Sequence, residues 1–248
     1  MRYRLKGKRA FITGTNRGIG LKIVESFAKE GVNIVAHARK YSKLFEDKMK
    51  EISKENGVEI DTIYFDMSDV SCMKDSVKKL IGRRREIDIL VNNAGVAHGG
   101  LFQMTAIDDI KKVFEVNLFG MMQLTQLLIR SMLRNGGAII NMASISGIEL
   151  REGNCAYGVS KAGVIAFTKT LSAELAPHGI RVNAVAPGLT DTDMATLMEE
   201  KAGINMVRET AMGRLAKPEE IAETVLFLAS ENASFISGQT IRVDGGEK

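Results

Sequence analysis

The chain is short of the residues that mark specialised architectures. Among 248 residues there is no Trp, there are 3 Pro and 2 Cys, and aromatic side chains make up 6%. So little proline excludes collagen-like and polyproline structure. Cys72 and Cys155 stand 83 positions apart with no Cys-x-x-Cys spacing and no His cluster nearby. That argues against a disulfide framework or a zinc site and for reduced thiols in a cytoplasm. No stretch approaches the roughly 18 consecutive apolar residues of a membrane span. The basic segment from Met1 to Lys8 leads into no secretory apolar region. A cytoplasmic protein with no membrane contact and no metal is expected.

A large excess of one charge is missing too. Lys and Arg number 34 against 30 Asp and Glu, a formal net charge of +4 at pH 7. A nucleic-acid binder gathers such an excess into a stripe. The one dense basic run, Arg83-Arg84-Arg85, is followed directly by Glu86 and reads as a solvated helix end. No nucleic-acid partner is expected.

What is present is glycine, 24 residues of it, and 45% apolar side chains, material for an α/β core whose backbone comes close to something at its turns. Periodicity divides the chain into alternating units. Lys8 to Thr13 reads as a strand and Gly18 to Lys29 as a helix. Val32 to Ala38, Val58 to Phe65 and Ile87 to Val91 are further strands, with helices over Lys43 to Glu55 and Val70 to Arg84. Asp108 to Arg134 reads as one long helix, apolar around much of its circumference, which must be covered on more than one face. Ala138 to Met142, Ile180 to Val185 and Thr240 to Val243 complete the strands, and Ala156 to Ala176 and Glu219 to Ser230 the helices. Strands separated by such helices give a parallel sheet with right-handed crossovers. The expected fold is α/β: a single doubly wound Rossmann domain over residues 1–248, its seven-stranded parallel sheet covered by helices on both faces. Thr190 to Gly213 has no clear period and is Met-rich, as a substrate lid would be.

Thr13-Gly14-Thr15-Asn16-Arg17-Gly18-Ile19-Gly20 fills the first strand-to-helix turn. Glycines there let backbone amides approach a pyrophosphate at a helix N-terminus; the alternative is a tight turn that needs small residues. The second strand ends His37-Ala38-Arg39-Lys40. No carboxylate stands there to hold the adenosine ribose hydroxyls, while Arg39 and Lys40, with Arg17, present cations to a 2′-phosphate. NADP(H) is favoured over NAD(H), the alternative for Arg39 and Lys40 being a solvated strand end. Asp66 follows the third strand, placed either to accept from an adenine amino group or to cap the next helix. Asn92-Asn93-Ala94-Gly95 follows the fourth.

Of the four tyrosines, only Tyr157 has a Lys four residues on, Lys161, which puts phenol and ammonium on one helix face. A cation there is expected to lower the phenol pKa and make Tyr157 a usable proton donor. A surface pair is the plain alternative. Ser144, just past the fifth strand, can bind the same substrate oxygen, and Asn117 is a carboxamide in the midst of an apolar helix.

With these residues in place the whole chain resembles the short-chain dehydrogenase/reductase family. Thr13 to Gly20 matches the family's Thr-Gly-x-x-x-Gly-x-Gly and Asn92 to Gly95 its Asn-Asn-Ala-Gly. Asn117, Ser144, Tyr157 and Lys161 match its catalytic tetrad. Pro187-Gly188 with Thr192 matches the segment that grips the nicotinamide carboxamide, and Val243-Asp244-Gly245-Gly246 the usual ending. The resemblance implies hydride exchange between nicotinamide and a carbonyl or alcohol carbon, with Tyr157 as proton donor and Ser144 orienting the oxygen. It also implies that Lys161 holds the nicotinamide ribose and lowers the tyrosine pKa, and that Asn117 supports a water chain. The implied cofactor contacts are Gly14, Asn16, Arg17, Gly18, Ile19, Gly20, Arg39, Asp66, Asn93, Gly95, Tyr157, Lys161, Pro187, Gly188 and Thr192.

Within the family the likeness is greatest to 3-oxoacyl-acyl-carrier-protein reductases. Gly153-Asn154-Cys155-Ala156-Tyr157 resembles their Gly-Gln-x-Asn-Tyr, with Asn154 in place of Gln. The basic residues that meet their acidic carrier correspond here to Asn135 and His178, with Arg134 as a near substitute. Sugar, polyol and hydroxysteroid dehydrogenases share most of the remaining pattern, and a dinucleotide-sensing module without catalysis is the alternative of another class. Met194, Met198, Met206 and Met212 line either an acyl pocket or an ordinary packing surface. His98 faces substrate or is a plain loop residue, and Cys155 is thiol-sensitive or inert. Family members pair the long helix and the Tyr157 helix across a two-fold, so a homotetramer or homodimer is expected.

Overall fold

The computed structural model describes residues 3–82, 86–149, 151–192 and 210–246. In chain order the elements are β1 (Arg9–Ile12), α1 (Gly18–Lys29), β2 (Asn33–Ala38), α2 (Lys43–Asn56), β3 (Ile60–Tyr64), α3 (Val70–Ile81), β4 (Ile89–Asn92), α4 (Ile107–Phe114), α5 (Gly120–Met132), β5 (Gly137–Met142), α6 (Cys155–Leu175), β6 (Ile180–Pro187), α7 (Pro218–Ala229) and β7 (Thr240–Val243). The boundaries of α1 and β7 are those read from the sequence.

Alternation along the strands sorts side chains between two cores. Ala10, Ile12, Ile34, Ala36, Ile89 and Val91 face one layer; Phe11, Val35 and Leu90 face the other. Strands apolar on both sides need helices on both sides. Ile23 and Phe27 of α1, Met49 of α2 and Ile221 and Val225 of α7 fill the first layer. Met73 and Val77 of α3, Leu124 and Leu128 of α5 and Leu171 of α6 fill the second. The seven strands run β3-β2-β1-β4-β5-β6-β7. Every neighbouring pair is parallel, with Phe11 opposite both Val35 and Leu90. The order turns outward in both directions from β1 and β4, which opens a crevice at the carboxyl ends of those strands.

The long helix expected over Asp108 to Arg134 is corrected. Helical backbone continues from α4 to α5, but through a π turn at Glu115–Phe119. Gly120 closes that turn against the loop after β3: a Cβ there would lie 2.2 Å from the Met67 carbonyl oxygen and 2.9 Å from that of Glu115. An inserted residue of this kind reorients the side chains within it, and Asn117 is among them.

The expected lid falls mostly on residues 193–209, so Met194, Met198 and Met206 lie outside the described residues, as do Arg83, Arg84 and Arg85. At the lid's stem Thr190 bridges Ala216, and the Met212 amide donates to the Gly245 carbonyl. Among the described residues no helix is long and apolar enough to cross a membrane.

Candidate active site

The glycine turn is shaped by contacts that leave no room for side chains. Gly14 and Gly18 have φ of +69° and +54°, where L-residues are strained. A Cβ on Gly14 would lie 2.9 Å from the Ala94 Cα, and one on Gly20 would lie 2.0 Å from the Gly14 oxygen. The turn is stitched to the end of β4. Thr13 Oγ1 accepts from the amides of Asn93 and Ala94, and the Asn93 carboxamide donates to the carbonyls of Thr13 and Gly14. Asn93 thus holds the turn itself. Arg17 is the N-cap of α1, there is no acidic residue in the first turn, and neither Gly18 nor Ile19 finds an acceptor for its amide among the described residues. Backbone donors at a positive helix end, with glycine where a Cβ would intrude, fit the phosphates of a dinucleotide.

The adenosine side is set by β2 and β3. Asn16, Arg17, Arg39 and Lys40 are exposed at this edge. Asp66 does not cap α3; Asp69 does, accepting from the Cys72 amide. Asp66 accepts instead from the amide and hydroxyl of Ser68. Burial alone would raise its carboxyl, but the Ser68 bonds, helped by Arg39, hold it below the usual range. On the other side of the crevice, Pro187 ends β6 and the Gly188 amide donates to the Val243 carbonyl. Thr192 reaches the glycine turn: its methyl carbon is 3.5 Å from where a Gly18 Cβ would be.

Ser144, Tyr157 and Lys161 meet beyond β5. The Ser144 hydroxyl lies close enough to the Tyr157 phenol to favour its ionised form. Lys161 is 5% exposed, donates to the Met142 carbonyl at 2.7 Å, and lies 5.8 Å from the centre of the Tyr157 ring. A Cβ on Gly95 would sit 3.5 Å from Lys161 Nζ and 3.2 Å from Asn117 Oδ1, so this loop closes over both. The Asn117 carboxamide is held at both ends: Oδ1 accepts from the Val96 amide, and Nδ2 donates to the Val96 carbonyl and to Ser160 Oγ. It braces the loop after β4 against α6.

The electrostatics reverse one expectation. Burial raises the Tyr157 phenol, and the nearby Ser144 hydroxyl offsets this only in part. The cation itself yields, burial bringing Lys161 down to about 8. Lys161 is buried and Tyr157 half-buried, and burial disfavours the charged form of each.

Asn135 and His178 do not join this site. They are exposed beside the starts of β5 and β6, near the contact of the Gly137 amide with the Gly179 carbonyl, and strands of this length put them roughly 20 Å from Ser144. His98 faces Asp109 at 4.0 Å. Cys155 is exposed and in no disulfide. Sequence reasoning missed Ser160, the Met142 carbonyl and His37. Only Ser160 left a signal, a hydroxyl one helical turn beyond Tyr157 on the same face.

A doubly wound parallel sheet with a glycine turn at its switch point and a Ser, Tyr and Lys cluster at the same edge defines an oxidoreductase that works with a nicotinamide cofactor. Residues 14–248 match the family profile described as Enoyl-(Acyl carrier protein) reductase. The chain is 39% identical over 244 residues to the 3-oxoacyl-[acyl-carrier-protein] reductase FabG of Thermotoga maritima, covering 98% of both chains. It is 36% identical to the enzyme of the same name from Aquifex aeolicus, covering 99% of each. Among solved structures it superposes on L-sorbose reductase from Gluconobacter frateurii, complexed with NADPH and L-sorbose, with a TM-score of 0.91 at 32% identity, over 100% of this chain and 98% of that one. The chain belongs to the short-chain dehydrogenase/reductase family.

Proposed function

We propose that this protein is an NADPH-dependent reductase of 3-oxoacyl thioesters. The observation that carries the reading is the convergence of Ser144, Tyr157 and Lys161 beside Gly95 at the cofactor edge, in a chain alike over 98% of its length to a reductase named for that substrate. When bound, the nicotinamide supplies a hydride to the carbonyl carbon or takes one up in the reverse direction. Tyr157 gives its phenolic proton to the substrate oxygen, and a raised pKa keeps that proton in place at neutral pH. Ser144, beside the phenol, donates to the same oxygen and orients it. Lys161, steered by the Met142 carbonyl, holds the nicotinamide ribose beside Gly95 and restores the tyrosine proton. Asn117 positions that loop, and its Oδ1 keeps a second lone pair for the water chain that the family resemblance implies.

The phosphates rest on the amides of Gly18 and Ile19, with Gly14, Asn16 and Gly20 shaping the turn. Arg17, Arg39 and Lys40 receive the 2′-phosphate; Asp66 faces the adenine, and Pro187, Gly188 and Thr192 the nicotinamide. Phe119 and Met122, 50% and 37% exposed, and Val159 of α6, 44% exposed, supply an apolar face for a two-fold partner, building a dimer or tetramer. Two cysteines outside any disulfide suit a cytoplasmic enzyme.

Sugar or polyol reduction is the second reading, favoured by the sorbose reductase likeness and by Asn135 and His178 in place of carrier-binding cations. A panel of 3-oxoacyl thioesters, on acyl carrier protein and on coenzyme A, set against ketoses and polyols separates the two. Turnover confined to sugars would overturn the first. Tyr157→Phe is expected to abolish reduction and leave NADPH binding intact, and Arg39→Asp to erase the preference for NADPH over NADH.

A further inference from the structure

His37 belongs to β2 and is 2% exposed, yet both its ring nitrogens and its carbonyl meet one edge of the cofactor crevice. The Gly14 amide can only donate, so the ring nitrogen it meets at 3.3 Å, Nδ1, must carry a lone pair. The Phe65 carbonyl can only accept, so Nε2, 2.8 Å away, must carry the proton. The ring is therefore neutral, in the Nε2–H tautomer, and packs on Phe65 with centroids 4.1 Å apart. Its own carbonyl accepts from both the amide and the hydroxyl of Thr15. One residue thus links the glycine turn after β1 to the end of β3, immediately before Asp66. The link also spends the amides of Gly14 and Thr15, leaving those of Gly18 and Ile19 for a phosphate.

We propose that His37 is a positioning residue for cofactor binding, its Nδ1 lone pair fixing the Gly14 amide so that the glycine turn keeps the shape that receives the dinucleotide's phosphates. This rests on the placement of the dinucleotide at that turn. Two substitutions separate the two ring atoms. In His37→Asn the carboxamide oxygen falls near the place of Nδ1 and accepts from Gly14, without reaching Phe65. In His37→Gln the carboxamide nitrogen falls near the place of Nε2 and donates to Phe65, leaving Gly14 without an acceptor.

The chain has no Trp, so NADPH fluorescence titrates binding cleanly. NADPH and 2′,5′-ADP affinities are measured for the full-length wild type and both variants, alongside urea unfolding midpoints. Expected is a loss of affinity for both ligands of about tenfold in His37→Gln, the size of one hydrogen bond to a buried group, against retained affinity in His37→Asn. The rank order in binding should not follow the rank order in stability. Equal affinity in His37→Gln and wild type, or losses that track unfolding midpoints across both variants, overturns the role of His37 alone. A wild type that binds neither ligand overturns both this role and the cofactor placement.

Discussion

Lys161 keeps a cation where its surroundings oppose one. Burial brings it from an ordinary 10.5 to about 8, while the Met142 carbonyl holds the ammonium by a single bond. Above that value the lysine loses its proton and can no longer restore that of Tyr157, so carbonyl reduction should fall as pH rises through about 8. Steady-state rates at saturating cofactor test this, and a rate that stays level up to about pH 10 would rule the role out. The sign for stability is opposite to that for activity. A folded pKa below the unfolded one means that, near neutrality, folding works against the charge. Lys161→Met should therefore abolish turnover while leaving the melting temperature unchanged or higher; a clear drop in melting temperature would show that the ammonium is needed for the fold. That Tyr157 and Lys161 lie side by side was legible from their four-residue spacing. The direction of the tyrosine shift was not, because spacing carries no information about how much water reaches a side chain.

At the scale of elements, the π turn between α4 and α5 does what a plain helix would not, turning the Asn117 carboxamide onto Val96 and Ser160. Gly120→Ala would bring a Cβ to 2.2 Å from the Met67 carbonyl, a backbone atom that cannot swing aside. The expected cost is about 2 kcal/mol or more of unfolding free energy, with reduced turnover as Asn117 shifts. Denaturant unfolding decides it, and a change within about 0.5 kcal/mol would mean the turn repacks freely. The sequence showed Asn117 as a polar residue out of place but not the turn that carries it, because one inserted residue leaves the apolar stripe of α4 and α5 nearly unbroken. The helix α1 and strand β7 were legible to the residue because glycine punctuation and period agree there. Asp66 and Asp69 lie within three residues of each other, and only the bond from the Cys72 amide shows which of them caps α3.

Across the whole molecule, the parallel sheet gathers Gly14, His37, Asp66, Gly95, Ser144 and Pro187 at one edge because each lies at, or within a few residues of, the carboxyl end of a strand. That much follows from alternating strands and helices. What the alternation hides is which of these residues the fold buries without charge. Burial, opposed by the Phe65 carbonyl and by Asp66, pushes His37 down to about 4 from an ordinary 6.5. As pH falls through that interval the unfolded chain takes up a proton that the folded protein refuses, so stability is full above about 6.5 and drains away toward 4. The separation is worth roughly 3 kcal/mol, a large share of the stability of an ordinary domain. His37→Asn has no such proton to take up. Urea unfolding at fixed protein concentration, from about pH 7 to about pH 4, should therefore cost the wild type roughly 3 kcal/mol more than the variant. If the two lose stability in parallel, the folded protein accepts the proton as readily as the unfolded chain. The acid limit of the fold would then lie with its carboxylates, not with the histidine beneath the glycine turn.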